Sequence, residues 1–102
     1  MIIYGYTRVC SESGINGKES ETQLFLTQNE RNHIMYEDYS DSFDAMESNG
    51  DIEETDANDN PKQTEDEFMK EIQNSNDANH DVFGLIQASD YHVQFEPFCK
   101  TL

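Results

Sequence analysis

Arg8 and Cys10, separated by a single valine, end the apolar run MIIYGYTRVC. An arginine next to a thiol at the end of a strand can present a cation and a nucleophile to a phosphate. The rest of the chain works against that chemistry. Its 102 residues hold 6 Lys and Arg against 22 Asp and Glu, a formal net charge of −16. Arg8 and Arg31 are the only arginines. In-line phosphoryl transfer needs positive groups clamped on the phosphate oxygens, and one arginine contact is worth a rate factor on the order of 10³. Cys10 is therefore read as a small residue at a strand end rather than as a nucleophile or redox thiol.

The elements that must position these residues follow from pattern. Residues 2–9 are β-branched and aromatic, and the turn-prone SESGING comes next, so a buried strand is expected. Ser20-Glu21-Thr22-Gln23 has capping-box spacing, which predicts a short helix over 22–29 burying Leu24 and Phe25. HIMYE at 33–37 reads as a second short strand, giving the strand–helix–strand order of a parallel unit. Thr64-Glu65-Asp66-Glu67 is a second capping box, heading a helix with Phe68, Met69 and Ile72 on one face. HDVFGLIQ then reads as a buried strand and YHVQF as an edge strand. The expected fold is one α/β domain over 1–102: a small sheet of three to four strands, two or three short helices, and an acidic loop, partly flexible over 38–63.

Charge bounds the partners more tightly than the fold. Residues 37–67 hold 13 acids and one base, Lys62, three-quarters of the net charge. Such a surface is repelled by bare nucleic acid and by anionic membranes, and attracted to cationic grooves. A protein that itself handles nucleic acid is thus the expected partner, with no direct nucleic-acid or membrane binding. The acids expected to meet it are Glu37, Asp38, Asp41, Asp44, Glu47, Asp51, Glu53, Glu54 and Asp56, with Glu65, Asp66 and Glu67 in a second rank. Tyr39 and Phe43, aromatics among carboxylates, are the expected packing anchors. Evenly spaced carboxylates can stand in for phosphates, which recur every ~3.4 Å along one DNA strand.

Other constellations are weaker. Asp56, Asn58, Asn60 and Glu67 occupy EF-hand ligand positions, but Pro61 replaces the turn glycine and Lys62 adds a positive charge. His33, His80 and His92 lack zinc-ligand spacing among themselves or with the cysteines. No metal and no cofactor are expected. Cys10 and Cys99 are expected as reduced thiols, with a disulfide between neighbouring strands left open. The amino terminus lacks signal-peptide character, and no apolar stretch is long enough to cross a bilayer, so a soluble, cytoplasmic protein is expected.

The opening residues Gly5, Tyr6, Arg8 and Val9 resemble the first strand of the catalytic domain of serine recombinases, the resolvase and invertase family. Cys10 stands where that family has its attacking serine. Gln23 and Leu24, then 67–72 and Asp81-Val82-Phe83, resemble its helix pattern and third strand. The resemblance implies that the serine position attacks DNA phosphate, aided by the arginine and by an arginine-rich stretch after the third strand. Here that stretch reads QASDYHVQF, with no arginine or lysine. The resemblance therefore implies a fold kept and an activity lost, and no DNA-binding tail is expected. By size and acidity the chain is also similar to counter-defence proteins, including anti-CRISPR proteins that mimic DNA. The leading expectation is a non-enzymatic inhibitor of a CRISPR–Cas nuclease or its ribonucleoprotein; the alternative is a catalytically degenerate recombinase-like regulator.

Overall fold

The computed structural model describes residues 1–12, 18–50, 52, 61–75, 81–88 and 91–102. Four strands and two helices make a mixed α/β fold in these residues: β1 (Ile2–Glu12), β2 (Lys18–Phe25), α1 (Gln28–Ser48), α2 (Glu65–Asn74), β3 (Phe83–Gln87) and β4 (Tyr91–Thr101). The sheet order is β2-β1-β4-β3, and every pairing is antiparallel. A parallel strand–helix–strand unit, expected from 2–37, is therefore absent from the described sheet.

Local patterns misled for identifiable reasons. Ser20–Gln23 mimics a capping box, but Arg8 sits opposite Glu21 and Thr7 opposite Thr22 in the β1–β2 ladder, so the segment is strand. The helix start lies further on. Thr27 is the N-cap, its hydroxyl accepting from the Glu30 amide at 3.1 Å. HIMYE lies within α1 and not in a strand. Arg31, Met35, Tyr39, Phe43 and Met46 recur at helical spacing and are the buried residues of α1. An arginine, a tyrosine and two methionines make that face faint on a hydropathy scale, which is why the short apolar run imitated a strand.

By contrast, α2 forms where its capping box predicts, with Thr64 and Glu67 bonded reciprocally and Phe68 and Ile72 buried. YHVQF is only the first half of β4, which is central rather than at an edge. Pro97 cannot donate to a ladder. β3 pairs with β4 only between His92 and Phe95, so Pro97 lies beyond that ladder with β1 as its paired neighbour.

Both helices pack on one face of the sheet. Tyr6, Val93 and Phe95 from the strands meet Met35, Tyr39, Phe43 and Met46 from α1 and Phe68 and Ile72 from α2. The core is small and largely aromatic: Tyr39 stacks on Phe68 at 5.4 Å and meets Phe95 edge-on at 6.2 Å. Burying each such side chain stabilises the fold by roughly 1.5–3 kcal/mol. Gly84, at φ +62°, is where three rings crowd the backbone; a Cβ there would lie 2.9 Å from Phe95, 3.0 Å from Tyr39 and 3.1 Å from Phe68. Glycine is the residue that fits both demands.

Candidate functional site

The helical period that buries Arg31, Met35, Tyr39, Phe43 and Met46 turns Glu30, Glu37, Asp41 and Asp44 to the opposite side of α1, with Glu47 at its flank. All five acids are exposed. At a rise of 1.5 Å per residue they span about 25 Å, one carboxylate per ~5–6 Å of axis. That is sparser than the phosphates of one DNA strand. The first turn of α2 adds a local cluster beside the stripe, because Glu65, Asp66 and Glu67 are exposed there and Glu65 pairs with His33 of α1 at 3.0 Å.

Three fastenings fix this arrangement. Lys62 Nζ donates to Asp44 Oδ1 at 2.9 Å, and that bond holds the ammonium above its ordinary pKa. The peptide of Gln63 lies between two tyrosines: its amide donates to the Tyr39 hydroxyl at 2.8 Å, and its carbonyl accepts from the Tyr36 hydroxyl at 3.2 Å. Burial pushes the Tyr39 hydroxyl up in pKa, partly opposed by that amide. Gln63 Nε2 also donates to Glu71 at 2.6 Å.

The expected site residues thus fall into separate groups. Glu37, Asp41, Glu47 and Asp66 are exposed and make no ion pair among the described residues. Asp44, Glu65 and Glu67 are exposed but also structural, through Lys62, His33 and the capping box. Tyr39 and Phe43, expected as surface anchors, are buried to 2% and 5% exposure. They face the sheet because they share the period of Met35, and no partner can pack on them directly. Asp51, Glu53, Glu54 and Asp56 lie outside the described residues, as do His80 and most of the EF-hand-like positions. Glu30 belongs to the stripe and was missed, although its seven-residue spacing to Glu37 and Asp44 was legible.

Asp38 is also misplaced as a contact acid. It is half-buried between helix and sheet, accepting from the Tyr6 hydroxyl at 2.8 Å and from Arg8 Nη1 at 3.2 Å. Arg8 Nη2 donates in turn to Glu21 at 2.9 Å. Burial, reinforced by the bond to Asp38, drives the Tyr6 hydroxyl far above the ordinary tyrosine value. Arg8 and Cys10 line an open cleft of about 400 Å³ with Ser20 and Glu21, so a carboxylate stands where a phosphate oxygen would have to approach. The second arginine, Arg31, is fully buried, donating to the carbonyls of Gly5 and Phe98 at 3.4 and 3.1 Å and lying 5.8 Å from the Tyr4 ring. Burial pulls its guanidinium below its ordinary pKa.

Cys10 and Cys99 do lie on neighbouring strands and are not joined by a disulfide. Cys10 is opposite Val93 and Cys99 opposite Tyr4, a displacement of six residues or about 20 Å along the ladder, far beyond disulfide reach. Among the described residues, no three His, Cys, Asp or Glu side chains converge on a metal position, and no helix is long and apolar enough to cross a membrane. Gln23 and Leu24, which the recombinase resemblance places in a helix, lie in β2, while Phe83 opens β3. Compared with protein families, curated proteins and solved structures, the chain matches none.

Proposed function

We propose that this chain is a non-enzymatic inhibitor that presents the outer face of α1 and the first turn of α2 to the basic nucleic-acid groove of a nuclease. A CRISPR–Cas effector is the first target class, with restriction enzymes and other nucleases next. The observation that carries the proposal is the stripe of Glu30, Glu37, Asp41, Asp44 and Glu47 on a 21-residue helix, flanked by Glu65 and Asp66. A helix fixed by a core on its other side displays its charges in constant spacing, so little ordering cost accompanies binding. The bonds from Arg8 to Asp38 and Glu21 support the non-enzymatic half, since they occupy the cation that phosphate chemistry would use.

The test is association of the purified chain with a nuclease ribonucleoprotein at two salt concentrations, with the Glu37→Ser, Asp41→Ser, Glu47→Ser triple variant alongside. The expected result is a tenfold or larger loss of affinity in the variant, mostly through slower association, and weaker binding at high salt. Unchanged affinity in the triple variant would remove the acidic face from the interaction. DNA nicking that disappears in Cys10→Ala would overturn the non-enzymatic assignment.

A further inference from the structure

The face of the sheet turned away from the helices has a different chemistry. Strand alternation puts Ile3, Gly5, Thr7 and Val9 of β1 there, with Thr22 and Leu24 of β2 and Gln94, Glu96, Phe98 and Lys100 of β4. Neither described helix covers it; Val9 is nevertheless buried at 3% exposure, Ile3, Thr7, Gln94, Glu96 and Phe98 are half-buried, and Thr22, Leu24 and Lys100 are exposed. At one level of the ladder Leu24, Gly5 and Phe98 stand side by side, and the Phe98 ring lies across Gly5, where a Cβ would come within 2.5 Å of its edge. Leu24 is 59% exposed beside it. Lys100 rests its ammonium 5.5 Å from the Phe98 ring, and Glu96 stands on the other side of that ring along the strand.

We infer that this open sheet face is the surface through which two copies of the chain associate, back to back, with Phe98 and Leu24 at the centre. Three features single out a second copy as the occupant. First, the row Glu96, Phe98, Lys100 is self-complementary: a two-fold axis through Phe98 sets Glu96 of each copy against Lys100 of the other, which is the pattern an isologous contact requires. Second, a chain of net charge −16 repels its own helical face, whereas this face balances one acid against one base among the residues just named. Third, strand spacing and rise give the face an area on the order of 600 Å². Stable interfaces bury ~800 Å² per partner, side chains included, so the face is of the right size. The resulting pair holds two acidic helices on opposite outer sides. Back-to-back pairing is independent of what those acids bind.

Sedimentation of the 102-residue chain tests it, over concentrations from low to several hundred micromolar. The expected result is a species of twice the 11.8 kDa chain mass. Leu24→Glu should halve that mass at every concentration reached by the wild type, with an unchanged circular-dichroism spectrum, because Leu24 is exposed on an edge strand. Lys100→Glu should also give monomers, and adding Glu96→Lys to it should restore the pair by exchanging the two charges across the axis. A wild-type chain that stays monomeric throughout overturns the inference. So does a dimer that survives both Leu24→Glu and Lys100→Glu, or one lost instead in the Glu37, Asp41, Glu47 triple variant. If the monomer instead buries this face only on meeting a nuclease, the face belongs to that partner and the inference is equally overturned.

Discussion

The two faces of this sheet put opposite uses on the same backbone. On the helix side, Tyr6, Val93 and Phe95 disappear under α1 and α2, and the acids ride outward on the helices that cover them. On the other side, Ile3, Thr7, Val9, Thr22, Leu24, Gln94 and Phe98 share the face with Glu96 and Lys100. Charge is thus sorted by distance from the sheet. A carboxylate on the outer side of a helix stays in water and keeps its hydration, while one turned inward between helix and sheet needs a partner, as Asp38 has in Arg8 and Tyr6.

That contrast can be broken most severely from the core. Tyr39→Ala removes the ring that stacks on Phe68, meets Phe95 and receives the Gln63 amide; thermal unfolding should show a loss of about 3–5 kcal/mol. If Tyr39 were instead a surface anchor, the loss would stay under about 0.5 kcal/mol. Gly84→Ala should cost about 2–4 kcal/mol, combining a positive φ with crowding by three rings. Asp38→Asn should cost about 1–3 kcal/mol, because Arg8 and Tyr6 both lose a charged acceptor, whereas Asp41→Asn, one turn on and exposed, should leave stability unchanged.

Titration separates the faces more gently. The Tyr6 and Tyr39 hydroxyls are held above the ordinary tyrosine pKa, so the folded state keeps protons that the unfolded chain releases above pH ~10. Their contribution to stability is full below that pH and declines as pH rises beyond it. Melting temperatures measured from pH 8 to 11 should fall at the alkaline end, and Tyr6→Phe should flatten the fall. The smallest effect is that of salt on the two surfaces. Raising salt should weaken capture of a cationic nuclease by α1, yet tighten self-association through the sheet, since screening relieves repulsion between two chains of −16. Parallel salt responses would mean that one surface does both.

Legibility in the sequence was uneven along the chain. Thr64–Glu67 announces α2 without ambiguity, because both side chains of the capping box are used as the spacing demands. The same spacing at Ser20–Gln23 announces a helix that does not exist. The residues downstream make the difference. After Thr64 the apolar residues Phe68 and Ile72 fall on one helical face, while after Ser20 the positions of Gln23 and Phe25 alternate as in a strand. α1 was half legible. Its acids were visible as a block, but its buried stripe runs through Arg31, a charged residue that no hydropathy pattern assigns to a core. Tyr39 and Phe43 belong to that stripe and are buried with it, although their acidic sequence neighbours point to a surface.

Composition alone determined the sign of the surface, the small aromatic core and the poverty of cations for phosphate chemistry, because these depend on residue counts and not on where the residues go. Which carboxylates reach solvent, and that Asp38 and Glu21 instead engage Arg8, only the tertiary structure decided. The reason is geometric: a helix of 21 residues laid across an antiparallel sheet divides its own sequence into a buried side and an outer side, and that division is made by the sheet beneath it.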